Sequence, residues 1–412
     1  MNWQIAVMIV FTLATAFDLT LTVLRMRSCA RPIPENVKDI YDEETYTRWR
    51  AYTAEKSRLS VVSSLVQFVV MVVLLLSGAY AAFARLFPAD PILQLTAVLL
   101  LQAVAETVAS LPLNYIDTMR IEEKYGFNRS TKKTFYIDQV RGFIMNFALS
   151  AVLMYMFLLA HTALGDGVLI LFTAGMLAFS LLITFLYPFF SRLGNKFTPL
   201  EEGELRTRLT EMLTSHGYRI RDIKVMDASR RTTRSNAYFT GFGATKTIVL
   251  YDTLLSSMTT DEICAVFAHE LGHGLYRHTL KRQILSTLQM LLIGALIWLS
   301  VSVPAVYTAF GFDGVNYGFA YILLGTCLLP LFQPLFSVLF NYVSRLHEYQ
   351  ADRQAVKEGC GEALASGLKV LARENFSHLS PHPLLVALEY SHPPMHLRLK
   401  AIEDAQAQQT AE

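Results

Sequence analysis

The sequence predicts a mainly α, polytopic membrane protein with about seven transmembrane helices and, on one side of the membrane, a polar domain containing a small β-hairpin or sheet. Three observations lead there. The 412 residues are 53% hydrophobic and only 17% charged, against about 25% charge in a soluble domain. The mean hydropathy is +0.34. The apolar residues are gathered into charge-free runs long enough to cross a hydrocarbon core, which takes roughly 20 helical residues. Such a composition excludes intrinsic disorder. Four scattered cysteines, Cys29, Cys264, Cys327 and Cys360, exclude a disulfide scaffold and show no paired metal or redox spacing. A net charge of +2 without a concentrated basic face leaves no footprint for nucleic acid, and the expected surrounding partner is the lipid bilayer.

Residues 3–24, apolar except for Asp18, make the first span. No basic region precedes it and it is longer than a signal-peptide core, so a retained helix is expected. Leu59–Ala84 makes the second, and residues 91–112, interrupted by Glu106, the third. Gly142–Gly165, Gly167–Ser191, Gln283–Phe312 and Gly314–Ser344 make the fourth to seventh. Pro330 and Pro334 are expected to kink or unwind part of the last. Asp18 and Glu106 lie near span ends and are expected to face a hydrated interior or interface without a catalytic role.

Lysine and arginine give the orientation, because short loops rich in them stay cytoplasmic. The loop after the first span holds eight (Arg25, Arg27, Arg31, Lys38, Arg48, Arg50, Lys56, Arg58) and the loop after the third holds six (Arg120, Lys124, Arg129, Lys132, Lys133, Arg141). The connections after spans two, four and six hold only Arg85. The N-terminus is therefore expected outside. The expected organisation is an N-terminal membrane region of five spans over 1–191, a first part of the polar domain over 192–282, spans six and seven over 283–344, and a second part of the polar domain over 345–412. Chemistry is expected to be assembled from both parts.

Asp261–His278 reads DEICAVFAHELGHGLYRH, with Ile263, Val266, Phe267 and Leu271 forming an apolar stripe. Positions i and i+4 of a helix share a face, so His269 and His273 can direct two imidazole nitrogens at one ion, with Glu270 beside them. That is the H-E-x-x-H arrangement of a zinc hydrolase, two neutral ligands and a carboxylate poised to take a proton from water. Catalytic zinc usually takes a third protein ligand. After the seventh span, Ser344–Asp352 reads SRLHEYQAD. On one helical face Glu348 supplies that ligand, while Asp352 accepts a hydrogen bond from the non-coordinating nitrogen of a ligand histidine. A solvated helix with i,i+4 charges is the open alternative. His278, five residues after His273, falls off the ligand face and is read as a ligand's partner or as merely polar. Asn236, Ala237 and Tyr238 precede Gly241, Gly243 and Thr247–Tyr251 in a hairpin pattern. Its edge suits a substrate added as a strand; an ordinary hairpin with a turn-stabilising Asn remains open.

At these residues the sequence resembles the type I CAAX prenyl protease family of integral membrane zinc metallopeptidases. Besides HELGH and SRLHEYQAD, the matching stretches are Ile121–Thr131 (IEEKYGFNRST), Arg234–Tyr251 (RSNAYFTGFGATKTIVLY) and Ser391–Arg398 (SHPPMHLR). A related family of heat-shock membrane proteases has fewer spans and lacks the IEEKYGFN-type loop. The resemblance implies a zincin-like metalloprotease domain on the cytoplasmic side, with one Zn2+ per chain on His269, His273 and Glu348 and with Glu270 as general base. It also implies that His392 and Arg398 face the scissile carbonyl from the side opposite Glu270, and that Asn236, Ala237 and Tyr238 line the substrate. The implied substrates are proteins or peptides ending in Cys-aliphatic-aliphatic-X, prenylated at the cysteine, from which the last three residues are removed. Cytoplasmic catalysis points to a bacterial inner membrane, or to the endoplasmic reticulum in a eukaryote. Two other readings stay open from the residues: a general membrane-protein quality-control protease, and a non-catalytic zinc-binding scaffold or transporter. Transport predicts ionisable residues deep in several spans, whereas these ligands flank them.

Overall fold

The structure, a computed structural model, describes residues 2–88, 90–128, 130–168, 170–171, 173–178, 181–182, 196–230, 237–240, 245–374 and 377–411. In chain order its longer helices are α1 (Trp3–Ser28), α2 (Glu43–Leu76), α3 (Pro91–Ile116), α4 (Lys132–Leu164), α5 (Glu204–Ser215), α6 (Thr260–Leu275), α7 (His278–Val301), α8 (Leu329–Lys357), α9 (Gly361–Glu374) and α10 (Met395–Ala411). Among the described residues six helices are long and apolar enough to cross a membrane: α1, α2, α4, α7, α3 extended to Glu122, and the continuous stretch Tyr317–Lys357 that contains α8. Much of the expected fifth span, Gly167–Ser191, lies outside the described residues.

The chain divides into two compact units, one of residues 1–27, 50–177 and 287–336, the other of 28–49, 178–286 and 337–412. In the first unit, helix starts are set by local chemistry. Asp90 caps α3 by accepting from the amides of Ile92 and Leu93, with Pro91 in the first turn, where its missing N–H costs nothing. Thr131 caps α4 by accepting from Thr134 N. Val69, Val108 and Met145 are more than half exposed, as side chains turned to lipid are. The core is aromatic, with Phe319 packed against Tyr80, Phe310 and Phe312 at ring-centroid distances of 5.5, 5.1 and 4.9 Å.

A cavity of about 700 Å³ in this unit has an apolar lining interrupted by Gln102, Glu106, Asn114, Gln139, Asn146 and Tyr321, among others. Glu106 accepts from Gln102, which in turn accepts from Tyr80. Asp18 accepts from Ser64 Oγ at 3.0 Å. Both intramembrane carboxylates therefore have polar partners. The IEEKYGFNRST loop is pinned to α2: Lys56 Nζ reaches Asp117 and Glu122 at 2.7 and 2.9 Å, and Tyr52 Oη donates to Glu122 at 2.7 Å. Pro330 follows a widened turn, Leu324–Leu328, and Pro334 sits within α8. The wider turn gives the ring of Pro330 room against the carbonyl of residue 326, and the helix continues through Pro334 as well.

The second unit holds a four-stranded sheet of β1 (Phe197–Pro199), β2 (Arg219–Met226), β3 (Ala237–Thr240) and β4 (Thr245–Tyr251), in the order β1-β2-β4-β3. β2 and β4 are parallel and the other pairs antiparallel. The expected hairpin is the β3–β4 pair, registered from Ala237↔Leu250 to Thr240↔Thr247. Leu209 and Leu213 of α5, Ile223, Ile248 and Leu250 of the sheet, and Phe267 of α6 share one buried core. Residues 28–49, read from sequence as a membrane-region loop, belong to this unit. Their Val37, Ile40 and Tyr41 pack with Ala372, Leu379 and Leu399, and Tyr41 Oη donates to Ala372 O at 2.8 Å.

Candidate metal centre

Helix α6 starts at a complete capping box. Thr259 Oγ1 accepts from Glu262 N at 3.3 Å, and Glu262 Oε2 accepts from Thr259 N at 2.9 Å, which satisfies two of the amide donors that every helix start leaves open. Ser366 Oγ of α9 donates to Glu262 Oε1 at 2.6 Å. Burial opposes the charge of Glu262, but these donors outweigh it and hold its carboxyl below the usual range. Downstream, Ile263–His269 are all buried.

The middle of the motif depends on a missing side chain. A Cβ at Gly272 would lie 2.9 Å from Ala351 Cα and 3.0 Å from Gln354 Cβ. Only hydrogen fits there, so α6 and α8 approach closely enough for their polar side chains to meet. His269 Nε2 and His273 Nε2 are 3.2 Å apart. His273 Nε2 is 3.4 Å from Glu348 Oε1, and His269 Nε2 is 3.5 Å from Glu348 Oε2. An ion bound tetrahedrally at 2.0–2.1 Å requires donor separations of roughly 3.3 Å. The two ring nitrogens and the Glu348 carboxylate, which meets one nitrogen through each of its oxygens, come close to that spacing, and imidazole and carboxylate are the ligand types a divalent metal of this class takes, so the residues fit the group.

The surroundings of each ligand are as specific. His269 Nδ1 donates to Asp352 Oδ1 at 2.8 Å, as expected from sequence. Arg398 donates to the same carboxylate, Nε to Oδ2 at 2.9 Å and Nη2 to Oδ1 at 2.5 Å. The resemblance implies Arg398 at the scissile carbonyl; two of its nitrogens are on Asp352, and its Nη1 lies 3.6 Å from Glu348 Oε2. Burial works against the Arg398 charge, but Asp352 and then Glu348 more than compensate, so its pKa stands above the ordinary value. Burial likewise pulls the His273 imidazole down, and the Glu348 carboxylate pushes it up by more.

His392 Nδ1 lies 2.8 Å from Glu348 Oε2 with its side chain 64% exposed, the open flank of the cluster. Arg345 Nη1 donates to Val386 O and Tyr390 O at 2.6 and 2.8 Å, tying α8 to the segment that leads into His392. Glu270, half-buried on α6, contributes its charge to both His273 and Arg398. β3 is an edge strand among the described residues, which puts Ala237 and Tyr238 where a peptide can be added; Asn236 lies outside the described residues. His278, off the ligand face of a continuous helix, lies with its Nδ1 2.8 Å from His273 Nδ1, because α6 ends before it. The signals sequence reading lacked were the pairing of Arg398 and this turn, since neither has a period.

A helical membrane chain with H-E-x-x-H and a carboxylate from a second helix completing a donor cluster is an integral-membrane metalloendopeptidase. The comparisons agree. Residues 199–406 match peptidase family M48, and residues 23–192 match the CAAX prenyl protease N-terminal domain, which has five membrane helices. The chain belongs to peptidase family M48, on its CAAX prenyl protease branch. It is 32% identical to CAAX prenyl protease 1 homolog of Oryza sativa subsp. japonica, covering 97% of each chain. It is 33% identical to CAAX prenyl protease 1 of Saccharomyces cerevisiae, covering 90% of this chain and 88% of that one. The crystal structure of S. mikatae Ste24p matches with a TM-score of 0.84 at 28% identity, over 97% of this chain and 99% of that one.

Proposed function

We propose that the protein is a zinc endopeptidase that removes the C-terminal tripeptide of proteins or peptides ending in Cys-aliphatic-aliphatic-X with a prenylated cysteine. The observation that carries the metal half is the cluster of His269, His273 and Glu348, whose ring nitrogens lie 3.2 Å apart and 3.4 and 3.5 Å from the two oxygens of the carboxylate, a set that suits one ion per chain. The substrate half is supported by relatives that bear the name CAAX prenyl protease 1 and align over nearly their whole length.

When bound, zinc polarises the carbonyl under attack and lowers the pKa of water. Glu270 takes the water proton on its carboxylate and returns it to the leaving amine. His392, exposed beside Glu348, donates from its Nε2 to the oxyanion, where a fixed donor is worth about 3 kcal/mol. Arg398 supplies positive charge and holds Asp352, which keeps His269 in the tautomer with Nε2 free for the metal. Asn236, Ala237 and Tyr238 bind the substrate backbone as an added strand. The protease domain is built from residues 192–282 and 345–412, interrupted by spans over 283–344 and preceded by the membrane region 1–191. The lysine and arginine bias supports its facing the cytoplasm, at a bacterial inner membrane or a eukaryotic endoplasmic reticulum.

The test is cleavage of a Cys-aliphatic-aliphatic-X peptide, farnesylated and unmodified, followed by mass spectrometry with wild-type protein and Glu270→Gln. Loss of the tripeptide from the farnesylated peptide alone, slowed about 100–10,000-fold by the substitution, is the expected result. Cutting of both peptides at several bonds would instead make a quality-control protease the better account, one consistent with a backbone-binding edge strand that reads no side chains.

A further inference from the structure

We infer that His278 and Gln350 are positioning residues that lock metal ligand His273 in one tautomer and one ring orientation, a neutral counterpart to the charged Asp352–Arg398 pair behind His269. The inference rests on the metal reading above. With Nε2 of His273 turned to the donor cluster, its Nδ1–H points away and needs an acceptor, without which the ring is free to turn and to change tautomer. That acceptor is His278 Nδ1 at 2.8 Å. To accept there, His278 must carry its proton on Nε2, and Gln350 Oε1, 2.9 Å from that nitrogen, is an acceptor that selects this tautomer. Gln350 lies on α8, between Glu348 and Asp352, so one helix supplies a ligand, the direct partner of His269 and the anchor for the partner of His273.

Three further observations show a built arrangement. In a continuous helix residue 278 would sit about 140° around the axis from residue 273. α6 instead ends at Leu275, and Arg277 adopts a left-handed φ of +53°, an uncommon and strained conformation for a non-glycine residue. The helix is interrupted there and α7 starts at His278. The ring of His347 stacks on that of His278 at 3.9 Å between centroids and 11° between planes, which blocks rotation. His278 is 1% exposed, so no bulk water stands ready to replace its hydrogen bond.

The test is the zinc affinity of the full chain in detergent, measured by competition with a chromophoric chelator, for wild type and three variants. His278→Leu removes the acceptor and keeps the bulk. His278→Asn keeps an acceptor oxygen close to the position of Nδ1. Gln350→Leu leaves His278 in place without its anchor. His278→Leu is expected to weaken zinc binding 10–100-fold, Gln350→Leu to weaken it by less, and His278→Asn to restore it to within about threefold of wild type. A merely structural role would move the unfolding temperature of the metal-free protein without this ordering of affinities. If His278→Leu binds zinc as wild type does, or if His278→Asn is as weak as His278→Leu, the inference is wrong. If His278→Leu does not fold, Gln350→Leu with unchanged affinity overturns it equally. Absence of zinc binding by wild type would instead overturn the metal reading itself.

Discussion

Gly272 shows how much one absent methyl group contributes. Its neighbours on α8 are the backbone of Ala351 and the Cβ of Gln354, neither of which can rotate out of the way. Gly272→Ala should therefore push α8 away from α6, at a cost of about 1–3 kcal/mol, and open the cluster on the side of Glu348. The expected outcome is a lower unfolding temperature together with loss of bound zinc by metal analysis. A variant that retains one equivalent of zinc with normal stability would refute the argument. At this scale the sequence was legible where a side chain repeats with the helix: His269, His273, Glu348 and Asp352 all follow from i,i+4 spacing. It was silent where the determinant was a contact made by hydrogen, as at Gly272, or a pairing across 46 residues, as between Asp352 and Arg398.

At the scale of elements, the site depends on how α6 begins as much as on what it carries. Thr259 and Glu262 close the capping box and Ser366 joins it from α9. Thr259→Ala should cost about 1 kcal/mol, seen as a lowered midpoint of unfolding. Because the Glu262 carboxyl is held below its ordinary pKa, its contribution is fully present above the unfolded value and is lost as pH falls through the folded one. Glu262→Gln should thus destabilise at pH 7 and lose less than wild type on acidification, in unfolding curves recorded at both pH values. The hairpin was readable from its alternation of β-formers and glycines. The turn at Arg277 was not, because nothing in Tyr276–Arg277 marks a left-handed residue the way glycine would.

For the molecule as a whole, composition and charge-free runs revealed the membrane class directly, and the loop charges supply an expected orientation. From sequence, residues 28–49 read as a solvated loop, because the segment is basic and short of apolar residues. Yet Val37, Ile40 and Tyr41 suffice to bury it in the second unit. Lysine and arginine counts report which side a loop occupies, not what it packs against. The discontinuity of the second unit in sequence is thus greater than motif spacing alone suggests, with three segments of chain contributing.

That discontinuity also sets a clock. Asp352 follows His269 by 83 residues, and at 5–20 residues per second the ribosome needs about 4–17 s to make that stretch. For most of that interval, from His273 to Glu348, the nascent chain has both histidines but no third ligand, and Arg398 comes 46 residues after Asp352. A chain ended before Ser344 should accordingly hold zinc at least 100-fold more weakly in chelator competition, and equal affinity would contradict this. The order of synthesis thus acts as a safety catch. On the proposed ligand set, peptidase activity is expected only once the stretch Tyr317–Lys357, which carries Glu348, has been made.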